Sequence, residues 1–162
     1  MGDPFWASGL RFSCARCSAC CRGGPGFVFL SREDLRRLLD FLGIDLRSFF
    51  GKYCTLKDRG DGMALSLAEK PGYDCIFWEG GGCSVYDVRP VQCSTYPFWA
   101  ALLQSPGSWR EESRNCPGIG NGQLRSREHI EARIYARRAE RTIVLPYGSL
   151  AETLDEDTIL GR

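Results

Sequence analysis

Residues 12–21 read Phe12-Ser13-Cys14-Ala15-Arg16-Cys17-Ser18-Ala19-Cys20-Cys21, and Arg22-Gly23-Gly24-Pro25-Gly26 follows. A stretch so rich in cysteine, glycine and proline predicts neither a regular helix nor a regular strand. Cys14, Cys17 and Cys20 stand in C-x2-C-x2-C register. Two intervening residues let one turn aim consecutive sulfurs, and turn N–H groups with them, at a single centre, which favours thiolate. Cys21 directly follows Cys20, and adjacent side chains project in different directions. Either Cys21 serves a second site or one of the pair is not a ligand. Four thiols in eight glycine-flanked residues make no sense as core, so the stretch predicts a fold organised around thiolate-bound metal.

The rest of the chain extends this reading. There are 162 residues with nine cysteines and one histidine. Cys75, Cys83, Cys93 and Cys116 each lie beside turn chemistry, and with the first four they make eight thiols, enough for two tetrathiolate sites. Packing as small core residues is the alternative for Cys75, Cys83 and Cys93. The expected partition places Cys14, Cys17 and Cys20 with one distant cysteine, and Cys21 with the others. Cys54, at the end of an aromatic run, is expected to be a buried inert thiol. The lone His129 excludes the two-His zinc protease helix, the Cys2His2 finger and the facial triad, and leaves little for acid–base catalysis. The C-x2-C-x2-C run with a remote Cys116-Pro117 favours an iron–sulfur cluster, of the 4Fe-4S type, over Zn2+. An odd cysteine count with an adjacent pair disfavours a disulfide framework.

The fold expected is α+β: small, loop-rich and metal-organised, with short strands and several helices. Residues 1–120 form the cysteine-cluster domain, and 121–162 a C-terminal helix and tail packed on it or extending from it. Strands are predicted at 27–30, 63–67 and 75–78. Ser31 with Asp34 reads as a capping box ahead of a Leu35, Leu38, Leu39, Leu42 face that Gly43 ends. Asp45 caps a second helix burying Leu46, Phe49, Phe50 and Tyr53. Gly80–Gly82 is a tight turn delivering Cys83, and Pro90 opens a helix bearing Cys93. Phe98–Leu103 reads as core, 118–122 as a flexible turn, 126–141 as a helix, and the acidic tail at 155–157 as frayed. Twenty-one basic residues against twenty acidic ones provide no bulk field for nucleic acid or an anionic membrane. The first residues lack the features of a secretory signal and no apolar run could span a membrane, so a reducing cytoplasm is expected. An unknown protein partner fits this picture; nucleic acid does not.

The run Phe12-x-Cys14-x2-Cys17-x2-Cys20-Cys21 resembles the opening motif of the CxxCxxCC, or YkgJ-like, cysteine-cluster family. The resemblance continues through Cys75-x-Phe77-Trp78, Cys83-x-Val85-Tyr86-x2-Arg89-Pro90-x2-Cys93, Tyr96-Pro97-Phe98 and Cys116-Pro117-Gly118. It implies zinc or an iron–sulfur cluster held by the eight cysteines, usually without a defined reaction. A related group includes the flagellin lysine N-methylase. Three roles follow as expectations: a redox or oxidoreductase component, a structural zinc adaptor, and a protein-modifying enzyme; whether the chain is an enzyme stays open. Two positions depart from the family pattern: Ser18 stands where Gly is usual, and Ser94 where Arg is common. Arg89 offers a planar fork of donors to cofactor sulfurs, or alternatively a salt bridge to Asp87 or Asp74. Tyr86, also assigned to the cofactor site, forms with Tyr96, Phe98 and Trp78 an apolar shell that keeps water from the metal.

Overall fold

The structure is a computed structural model that describes residues 2–148 and 155–161. Its elements, in chain order, are β1 (Leu10–Phe12), α1 (Arg32–Leu42), α2 (Leu46–Tyr53), β2 (Cys54–Asp58), β3 (Met63–Leu67), β4 (Trp78–Glu79) and β5 (Gly82–Cys83). There follow α3 (Val91–Thr95), α4 (Pro106–Glu112), β6 (Ile119–Arg125), α5 (Arg127–Ala139), β7 (Val144–Leu145) and α6 (Glu156–Leu160). The fold is a small mixed α+β one, its strands short and antiparallel. Among the described residues no helix is long and apolar enough to cross a membrane. The chain divides into two compact units, Met1–Cys20 with Val91–Ala139, and Cys21–Pro90 with Glu140–Arg162.

In the second of these units, Ser31 and Asp34 close the capping box: Asp34 N–H donates to Ser31 Oγ at 3.1 Å, and Ser31 N–H to Asp34 at 3.2 Å. Gly43 ends α1 at φ 64°, a backbone conformation that costs glycine nothing. Leu35, Leu38 and Leu39 pack into a core with Leu46 and Phe49 of α2, Leu65 and Leu67 of β3, and Phe77. β2 pairs with β3 from Cys54↔Leu67 to Asp58↔Met63, and β7 pairs with the other edge of β3. Phe27–Leu30 does not form the continuous strand expected. It lies extended along β3, with Leu30 N–H donating to Leu65 O at 3.0 Å, but Ile143 uses the same edge, donating to Leu30 O and accepting from Leu65 N–H. Residues 75–78 are likewise no strand: Trp78 N–H turns back to Cys75 O at 2.9 Å, and β4 begins only at Trp78. Gly80 and Gly81, at φ 56° and 86°, then make the hairpin turn to Cys83. The tail that looked frayed includes α6, with Ile159 and Leu160 buried, Arg32 Nε donating to Ile159 O at 2.9 Å and Arg36 donating to Leu160 O. Two apolar residues after the acidic run anchor it; 149–154 lie outside the described residues.

In the other unit, β1 and β6 pair, and Phe12, Phe98, Leu103, Trp109, Cys116, Ile119 and Ile130 form the core. The 98–103 segment is core only at Phe98 and Leu103, with Ala100 and Ala101 exposed. α4 was not anticipated, although its start carries ordinary signals: Ser105 Oγ accepts from Ser108 N–H at 3.1 Å, and Pro106 occupies the first turn. α5 realises the helix expected over 126–141 and buries Ile130 against α3 and the core. The glycine-rich 118–122 stretch is not a loose turn but largely part of β6, bent where the register jumps from Arg11↔Leu124 to Phe12↔Ile119. Positive φ at Gly120 and Gly122 accommodates that excursion.

Candidate metal centre

The ladder between β1 and β6 positions the first cysteines. Beyond Phe12↔Ile119, Ser13 N–H donates to Gly118 O at 3.3 Å and Ser13 Oγ accepts from Gln123 N–H at 3.1 Å. Cys14 follows this ladder on one side and Cys116-Pro117 precedes it on the other, and the sequence-remote Cys17 lies near enough to Cys116 to act on its thiol. A Cβ on Gly118 would lie 2.4 Å from Ser13 O, and one on Gly122 2.1 Å from Ser13 Oγ. The glycine of Cys116-Pro117-Gly118 is therefore there for close backbone approach.

Cys14, Cys17 and Cys20 are exposed on the loop, and Cys116 is buried. Arg16 and Ser18 hold left-handed φ of 52° and 61°. The Ser18 slot is thus one that glycine fills without strain, which gives the first departure from the family pattern a physical meaning. Ser94, the second, turns back on its own helix and donates to Val91 O at 3.2 Å. At Cys116 burial pushes the thiol pKa up, against the opposing pull of the neighbouring Gly118, Tyr96 and Ile119 groups, and the nearby Cys17 adds to the rise; Ile119 N–H itself donates to Cys116 O at 3.1 Å. A thiophilic metal ion would offset that burial and favour the ionised sulfur. Cys93 belongs to this unit too, on α3, which α5 holds through Arg137 and Gln92 at 3.2 Å.

Cys21, Cys75 and Cys83 lie in the other unit. Cys75 N–H donates to Cys21 O at 2.7 Å, and Cys83 stands opposite Trp78 in the β4–β5 pair. Arg22 lies 4.0 Å over the Trp78 ring and 3.4 Å from Asp74. The Trp78 indole N–H is buried and finds no acceptor among the described residues. Such a donor beside Cys83 suits a metal-bound thiolate or sulfide, since residues opposite each other in a pair share a face. The donor chemistry in both units thus fits a thiolate-bound metal. Among the described residues, though, no three His, Cys, Asp or Glu side chains converge in a geometry that could hold an ion.

Other expected site residues have local roles. Arg89 makes no salt bridge to Asp87 or Asp74; Asp74 pairs with Arg22 instead. Its guanidinium donates to Tyr86 O at 2.8 Å and lies 3.8 Å over the Tyr86 ring, bracing the 86–88 turn. Cys54 is not the last residue of α2 but the first of β2, and burial pushes its thiol pKa well up, as an inert thiol requires. His129 packs edge-on to Phe98 at 5.7 Å, and burial, then Arg133 and Arg125, holds its pKa down. Glu112 was missed. It lies on the unanticipated α4 and accepts from the Tyr96 hydroxyl at 2.5 Å.

A family model described as CxxCxxCC, putative zinc- or iron-chelating domain, matches residues 13–117. No solved structure matches the chain.

Proposed function

The chain belongs to the CxxCxxCC family, and from that premise we propose that it holds an iron–sulfur cluster of the 4Fe-4S type through Cys14, Cys17, Cys20 and Cys116. Cys93 is a fifth thiol of the same unit, and Cys21, Cys75 and Cys83 serve a second centre. This differs from the partition expected from sequence in one respect: Cys93 stands with the first group. The observation that carries the reading is the close approach of the Ser13 and Gly118 backbones, which brings the Cys14 loop to the chain segment that carries the buried Cys116.

When bound, the cluster supplies one-electron transfer. The chain's own residues bind and shield it. Ile119 N–H ties back to Cys116 O at 3.1 Å, Phe12 and Ile119 pack with Cys116 in one core, and Gly118 lets the Ser13 backbone approach. A redox component of the cytoplasm is the role this arrangement suits.

The test is metal and sulfide analysis with an absorption spectrum of anaerobically purified protein. Iron, acid-labile sulfide and a broad visible band, bleached by dithionite, are expected. Equimolar zinc with no visible band would replace the cluster by a closed tetrathiolate zinc site and an adaptor role.

A further inference from the structure

We propose that the cavity between α2 and the β2–β3 pair is a binding site for a small apolar monocarboxylate, with Arg47 holding the carboxylate at its mouth. The inference is independent of the metal reading, since no cysteine proposed as a ligand lines this cavity.

The cavity measures about 340 Å3, within the range of roughly 300–1,000 Å3 that small-molecule sites occupy. From α2 it takes Arg47, Phe50 and Gly51, which their spacing of three and four residues puts on one helical face. From the sheet it takes Cys54, Leu56 and Leu65, and Leu56 pairs with Leu65 across the strands, so the two share a face. Leu65 is buried and forms the floor, while Arg47 and Gly51 are exposed and mark the mouth.

Gly51 is the residue that needs explaining. It lies inside α2, holds no left-handed φ, and a Cβ there would meet nothing within 4 Å. Neither strain nor crowding calls for glycine, yet glycine lowers helix stability relative to alanine. What its missing side chain does is keep the mouth of the cavity open. A position that gives up stability where a side chain would fit is explained by the space it leaves.

Charge selects the ligand. Among the described residues the Arg47 guanidinium has no carboxylate partner, and neither Asp nor Glu lines the cavity. Burial keeps the Cys54 thiol neutral, so it does not repel an anion. One guanidinium fork matches a carboxylate bidentately, and its single charge suits a monoanion better than a phosphate dianion. An acid with a short hydrocarbon tail satisfies both ends of the site, its tail against Leu56 and Leu65 and its head on Arg47.

Sodium octanoate is the probe, titrated calorimetrically into the full chain as purified, beside 1-octanol and octylammonium. Octanoate is expected to bind saturably, octanol more weakly and octylammonium not at all. Arg47→Gln should weaken octanoate roughly 10-fold and leave octanol unchanged. Gly51→Leu fills the mouth with a good helix former and should abolish binding of both, while the thermal midpoint holds or rises. Lys52→Gln, on the same helix but outside the cavity, should bind as wild type does. Absence of saturable octanoate binding to wild type, or octylammonium binding as tightly as octanoate, would overturn the assignment. So would undiminished octanoate affinity in Arg47→Gln or Gly51→Leu, or a loss in Lys52→Gln equal to that in Arg47→Gln, since either places the probe elsewhere on the surface. Should Gly51→Leu lose its fold by far-UV circular dichroism, Arg47→Gln decides alone, because Arg47 is exposed and no part of the core.

Discussion

Replacing Gly118 by alanine isolates the step that links fold to site. The new Cβ would stand 2.4 Å from Ser13 O, 3.0 Å from Phe12 Cε2 and 3.2 Å from the Ser13 carbonyl carbon. Reaching ordinary contact requires a displacement of about 1 Å, and the atom in the way is backbone, so no rotamer relieves it. Overpacking of this kind costs about 1–3 kcal/mol. Losing the Ser13 N–H···O Gly118 bond adds about 1 kcal/mol. At about 2–4 °C per kcal/mol for a chain of this size, the thermal midpoint should fall by roughly 4–15 °C. The same displacement separates the strands carrying Cys14 and Cys116, so metal affinity, measured by competition with a chromophoric chelator, should drop roughly 10–100-fold. Gly107→Ala is the control. Gly107 lies in the first turn of α4, where a Cβ meets nothing closer than Ser105 Oγ at 3.4 Å, and the change should be neutral or stabilising by up to about 1 kcal/mol. Ser13→Ala should not rescue Gly118→Ala, because the obstructing oxygen is main chain. If Gly118→Ala binds metal and melts as Gly107→Ala does, the close approach at Ser13 has no part in building the site.

Chelation should broaden the calorimetric transition of the unit that carries Cys14, Cys17 and Cys116, because these proposed ligands lie outside its helices and strands. In the native protein Cys54 should resist iodoacetamide at pH 8, since burial holds its thiol protonated, and mass spectrometry of alkylated peptides reads this directly. Gly51→Ala, in α2 with nothing within 4 Å of the new Cβ, should stabilise by about 0.5–1 kcal/mol in a denaturant titration. Ser48 holds the Asp45 carboxyl below its usual 3.8; a depressed carboxyl contributes stability above the unfolded value and loses it as pH falls through the folded one. Asp45→Asn keeps a good cap but removes the titration, so its stability should decline less steeply in acid than that of wild type.

The sequence was most legible where chemistry is local. The Ser31–Asp34 box, the Gly43 stop, the Asp45 cap and the Gly80–Gly81 turn to Cys83 all depend on residues within a few positions of each other, and all appear in the structure. Legibility failed where two segments compete for one edge. Phe27–Leu30 has the composition of a strand, but Ile143 takes both Leu65 N–H and Leu30 O, a bond that a full strand would have made along β3. It failed again at 118–122, where glycine reads as looseness. Here the same residues answer crowding, since any side chain at Gly118 or Gly122 would strike Ser13. The missed Glu112 combines both faults: α4 follows a segment read as continuous core, and a carboxylate bonded to a tyrosine leaves no periodic mark.

The cysteines divide along the same line. From spacing alone, Cys20 and Cys21 could not easily share a small ion, and the boundary between the compact units falls between them. On the partition proposed above, the peptide geometry that made the pair awkward for one site serves two, because successive side chains diverge. Cys93 shows the limit of spacing arguments. Ten residues separate it from Cys83, and the two are near enough in sequence to look like one group. Yet Cys83 is held by a two-residue hairpin against Trp78, while Cys93 rides on a helix that α5 grips from more than forty residues away. Which compact unit a cysteine joins is thus decided by the long-range packing that captures its element, and no local motif records that.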